Sequence, residues 1–68
     1  MYDYTYLVRA INFATGVIIE QWHACARPLT ALRRFKRNHL IYLRENDEDE
    51  IVATVFDKEG NICFEGNI

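Results

Sequence analysis

The stretch Pro28-Leu29-Thr30-Ala31-Leu32-Arg33-Arg34-Phe35-Lys36-Arg37-Asn38-His39 decides how this chain folds. Wound at about 100° per residue, it places Ala31, Leu32, Phe35 and His39 on one side. Arg33, Arg34, Lys36 and Arg37 fall on the other. That is an amphipathic helix, opened by a proline whose missing N–H is no loss in a first turn. Arg27 is a weak N-cap and Thr30 a better one, so the start falls between residues 28 and 31. One helix with one oily face can cover one face of a sheet and no more.

The flanking segments read as strands. Residues 2–11 alternate Tyr2, Tyr4 and Tyr6 with Asp3, Thr5 and Leu7, which is period two. Phe13-Ala14-Thr15-Gly16 is a turn, and residues 17–23 return as a second strand. A loop of those four residues sets Arg9 opposite Glu20 and Ile11 opposite Ile18. Residues 51–56 alternate again, Asp57 to Asn61 has the composition of a three-residue hairpin loop with a glycine, and residues 62–65 close the chain. In that hairpin Phe56 meets Ile62 and Thr54 meets Phe64. The apolar run Leu40-Ile41-Tyr42-Leu43 reads as a short buried strand ending at Arg44, because a continued helix would put Leu40 and Ile41 among the arginines; helix continuation is the alternative.

These elements predict a two-layer α+β domain with one helix on one face of a mainly antiparallel sheet. The sheet has four strands, or five if residues 40–44 are extended, in the order ββα(β)ββ. Small β-grasp domains share this element order, a likeness that transfers no function. At 68 residues, half of them apolar, the chain is one small domain with a packed core.

Sorting the strands by side puts Tyr6, Val8, Ala10, Val17 and Ile19 beneath the helix, with Val52, Phe56, Ile62 and Phe64 from the second hairpin. The opposite face keeps Leu7, Ile11, Ile18, Trp22, Ile51 and Val55, with Cys63, among Arg9, Glu20 and Glu65. Contiguous apolar surface of that extent marks an interface. The expected function is a non-enzymatic protein-interaction module that self-associates, or binds another protein, through Leu7, Ile11, Ile18, Trp22, Ile51 and Val55.

Charge supplies the rival expectation. Net charge is −2, yet residues 27–44 hold six basic side chains and no acid, while residues 45–68 hold eight acids and one lysine. Arg33, Arg34, Lys36 and Arg37 could track phosphates, which makes nucleic-acid binding the alternative. The acidic stretch that follows could neutralise them. Tyr2, Tyr4 and Tyr6 suggest a base-stacking platform more weakly, as no RNA-binding consensus accompanies them.

Chemistry is poorly provided for. There is no serine, and no glycine-rich phosphate loop. His23 and Cys25 form a lone H-x-C, and with His39 and Cys63 they match no zinc spacing. Asp47 to Glu50 lacks the glycine and terminal glutamate of a calcium loop. No enzyme activity, cofactor or metal is expected. No run approaches the ~18 apolar residues of a membrane span, and no signal sequence is apparent, so a cytoplasmic protein with free thiols is expected.

Overall fold

The computed structural model describes residues 4–68. Four strands, β1 (Thr5–Asn12), β2 (Ile18–Ala24), β3 (Ile51–Phe56) and β4 (Ile62–Asn67), form one sheet in the order β2-β1-β3-β4. Every pairing is antiparallel. Helix α1 (Pro28–Asn38) carries the chain from the β2 edge across one face to β3, and a second, short helix α2 (Leu40–Glu45) follows it. This is the expected two-layer α+β domain. Tyr2, at the head of the expected aromatic strand, lies outside the described residues.

The first hairpin has the predicted register, with Arg9 opposite Glu20 and Ile11 opposite Ile18. Gly16, at φ 79, supplies the left-handed residue that closes the loop, and Gly60, at φ 88, does so in the second hairpin. The Asp57 carboxylate ties that second turn by accepting from the Asn61 and Glu59 backbone N–H groups at 2.8 and 3.0 Å. Donation from Asn61 holds its carboxyl below the usual carboxylate range.

Helix α1 begins at Pro28 with Arg27 as its N-cap, and Thr30 lies inside it. Ala31 and Phe35 are fully buried, while Arg33, Arg34, Lys36 and Arg37 are exposed. The core beneath it gathers Tyr6, Val8 and Ala10 of β1 with Ile51 and Val55 of β3, with Cys25 and Leu43 completing it.

Residues 40–44 are helical, where a strand was expected. At His39 (φ −119, ψ 27) the chain leaves helical geometry for one residue and resumes as α2. The exposure that argued against a helix is accepted, for Ile41 is 73% exposed. What offsets it is the burial of Leu43, the packing of Tyr42 on the core, and a cap in which the Asn46 amide donates to the Tyr42 carbonyl at 2.8 Å. Buried Asn12 fastens this corner. Its amide nitrogen donates to the Tyr42 hydroxyl at 3.3 Å, while its oxygen accepts from the Ala14 N–H at 2.9 Å.

The second hairpin differs by one residue on β4. Phe56 faces Ile62 as expected, but Val55 faces Phe64 and Thr54 faces Glu65, with a bulge that leaves Cys63 as the additional residue. The phase of β3 is also the reverse of the expected one. Ile51, Ala53 and Val55 are 0% exposed beneath the helix, and Val52, Thr54 and Phe56 alternate on the opposite face, where Thr54 is covered by its neighbours. Ile62 follows Phe56 to the outer side, and Val17 is exposed in the turn.

Candidate functional site

The face opposite α1 is the candidate interface. Leu7, Arg9 and Ile11 of β1 lie opposite Trp22, Glu20 and Ile18 of β2 on that face, and opposite Phe56, Thr54 and Val52 of β3. Four of the six residues expected there are in place: Leu7, Ile11, Ile18 and Trp22. Ile51 and Val55 belong to the core, so they line no outer surface; Val52, Phe56 and Ile62 take their places. Thr54 was the available signal. It is the one polar residue of β3 and marks the outward phase, since the other phase is wholly apolar.

The three most exposed large side chains of this face stand on the edge strands: Ile18 (57%), Trp22 (56%) and Ile62 (58%). Leu7, Ile11, Val52 and Phe56 are half-buried between them. At the centre Arg9 Nε donates to Glu20 Oε2 at 3.0 Å, and its guanidinium lies 5.0 Å from the centre of the Phe56 ring. Beside that pair a shallow depression of about 320 Å³ opens between Leu7, Trp22, Phe56 and Lys58. The face is therefore oily at its margins, with one internally neutralised ion pair in its middle and the exposed Glu65 beside Thr54 on β4.

The basic helix surface is separate from this face. Arg34 is engaged, donating to the Ala24 carbonyl at 3.0 Å. Among the described residues Arg9–Glu20 is the one ion pair, so the acidic residues 45–50 do not pair with Arg33, Lys36 or Arg37. The tyrosines do not form a platform among the described residues, because Tyr4 is exposed and Tyr6 is buried in the core.

The candidate ligands for chemistry stay apart. Cys25 is buried and donates to the Arg27 carbonyl, whereas Cys63 is exposed at the β4 bulge; both are free thiols. Among the described residues no three His, Cys, Asp or Glu side chains converge to hold a metal ion. A hollow of about 330 Å³ between Tyr4, Tyr6, Lys58 and Cys63 also touches Asp57, whose carboxylate is committed to its turn. Among the described residues no helix is long and apolar enough to cross a membrane.

His23 is the buried group that responds to acid. It is 8% exposed on the helix side of β2, and its Nε2 has no hydrogen-bond partner. Burial, then the charges of Arg34 and His39, hold its pKa below the ordinary histidine value. As pH falls, the unfolded chain therefore takes up this proton before the folded one does. His23 leaves stability untouched above about pH 6.5 and subtracts from it as pH drops from there toward the lowered folded value. Urea midpoints measured from pH 8 to 5 are expected to fall in that acidic window. His23→Gln, which carries no proton to gain, is expected to flatten the decline.

In comparisons with known protein families, characterised proteins and solved structures, the chain matches none. The folded chain belongs to the class of small two-layer α+β domains.

Proposed function

We propose that this chain is a non-enzymatic protein-interaction module that self-associates through the sheet face its helix leaves uncovered. The observation that carries this is the grouping of Ile18 and Trp22, both more than half exposed, with Leu7 and Ile11 on one face. Burying a side chain of that size contributes roughly 1.5–3 kcal/mol, a large return for a domain this small. A second copy is the partner the charges favour. Arg9 and Glu20 cancel at the centre of the face, and the charge that is left, Glu65, stands on β4, so two faces meeting over β1 and β2 bring no like charges together at that centre. A strongly basic partner would find Glu65 alone to pair with there. A reducing, cytoplasmic setting in which Cys25 and Cys63 remain thiols belongs to the same proposal.

Nucleic-acid binding is the second reading, favoured by the unpaired state of Arg33, Lys36 and Arg37 on α1. One experiment separates the two. Trp22→Ala should weaken self-association by about 2 kcal/mol per copy, as hot-spot tryptophans do, and leave binding to oligonucleotides unchanged. Arg33→Glu with Arg37→Glu should do the opposite, abolishing any salt-sensitive oligonucleotide binding and sparing self-association. Sedimentation velocity and fluorescence anisotropy of a labelled oligonucleotide read the two arms.

A further inference from the structure

The hydrogen-bond phase of the first hairpin fixes which backbone groups of β2 are unpaired. The Asn12 N–H donates to the Val17 carbonyl at 2.9 Å, and the Cys25 N–H donates to the Tyr4 carbonyl at 3.3 Å. These bonds bracket β2. In an antiparallel ladder, hydrogen-bonded residues alternate with those whose groups point away. Ile19, Gln21 and His23 therefore bond to β1, while Ile18, Glu20, Trp22 and Ala24 turn their N–H and C=O groups to the open edge. An independent contact agrees, because the Ala24 carbonyl points outward to accept from Arg34.

The two edges of the sheet differ. β4 carries the bulge at Cys63. A bulge is a usual means of blunting an edge. β2 has no proline, no bulge and no lysine along its seven residues, and the one outward group already engaged is the Ala24 carbonyl, which keeps a second lone pair beside its Arg34 bond. Its outward backbone groups belong to the same residues, Ile18, Glu20 and Trp22, whose side chains stand on the apolar face.

We infer that a second copy joins at this edge, β2 against β2, antiparallel about a two-fold axis through Gln21, giving one eight-stranded sheet. This rests on the self-association proposed above but places the contact at the β2 margin of that face, where Ile18 and Trp22 stand, in place of a contact across the whole face. In that register Glu20 and Trp22 of one copy exchange both backbone hydrogen bonds with Trp22 and Glu20 of the other. Ile18 falls opposite Ala24. The two Trp22 rings are diagonal neighbours beside the axis, within the reach of cross-strand aromatic pairs. Sliding the axis to Glu20 would set two glutamates face to face, and sliding it to Trp22 would set Ile18 opposite Ala26, beyond the end of β2. The Arg34 side chains lie toward opposite ends of the pair. With Ala24 three residues from the axis, they are separated by about 20 Å at 3.4 Å per residue, beyond the range of strong repulsion in physiological salt.

Amide hydrogen exchange by NMR, followed from dilute to concentrated protein, tests this. As mass rises by light scattering, exchange at Ile18, Glu20 and Trp22 should slow by about tenfold or more, since an amide in a strand pair exchanges only on opening. Exchange at Glu65 on the other edge should not change. Glu20→Pro removes an outward donor without breaking a bond to β1 and should hold the chain monomeric with its circular dichroism spectrum retained. A dimer whose outward β2 amides exchange as freely as in the monomer overturns edge pairing and leaves face-to-face association standing. A chain that stays monomeric at every concentration overturns both.

Discussion

Phe35→Ala should leave the chain unable to hold its fold at room temperature. Phe35 is 0% exposed and is the largest fully buried side chain. It is where the longer helix, α1, meets the sheet, and its ring stands 4.3 Å from that of His39 at the bend into α2. Truncating a buried phenylalanine costs about 3–5 kcal/mol. A domain of 68 residues has about 3–10 kcal/mol in all, at the usual stability per residue. The loss is thus comparable to the whole. Urea denaturation followed by near-ultraviolet circular dichroism should show the folded baseline shortened or gone. A midpoint within error of the parent chain would mean that α1 is not what closes this core.

Two neighbouring substitutions on β3 should have opposite consequences. Val55→Asp puts a carboxylate among Val8, Phe35 and Ile51 with nothing to pair it, and burial of an isolated charge is compatible with folding only if it is neutralised or escapes. That variant should be unfolded at neutral pH. Phe56→Asp, one residue on, replaces a half-buried side chain of the outer face. It forfeits the Arg9 contact, about 0.5–1 kcal/mol at an exposed site, and should keep the fold while weakening self-association. Thermal unfolding of the two variants reads the phase of β3 directly. The reverse outcome would return Val55 to the surface and Phe56 to the core.

What could be read from the sequence follows from where polar residues interrupt apolar ones. β1 and β2 were legible because Arg9 and Glu20 have to face water, and a four-residue loop ending in Gly16 then pins them opposite one another. α1 was legible because its arginines and its apolar residues separate cleanly by helical period. β3 was not, since Ile-Val-Ala-Thr-Val-Phe offers either phase at nearly equal hydrophobicity, and Thr54 alone tips it. Its partner Glu65 makes that choice physical. The Thr54 hydroxyl, itself covered by its neighbours on the outer face, donates at 3.4 Å to the Glu65 carboxylate, which this phase leaves exposed and the other would have turned into the core.

Residues 40–43 failed for a related reason. Four consecutive apolar side chains carry no period, so a short strand and a short helix are equally consistent with them. The decision came from residues distant in sequence, in that Asn12 on β1 holds the Tyr42 hydroxyl and also reaches the Asn46 side chain at 3.4 Å. The candidate interface inherited the β3 error and nothing else. Its β1 and β2 members stand where their alternation put them, and the exchange of Ile51 and Val55 for Val52 and Phe56 leaves the outer face as oily as expected.

Sedimentation equilibrium of the chain, from low micromolar to near millimolar concentration, reads self-association itself. The mass should climb from that of one 8.0 kDa chain to that of two, with Trp22→Ala shifting the transition to higher concentration. A single-chain mass throughout, in a protein whose Trp22 emission shows it still open to solvent, would contradict it.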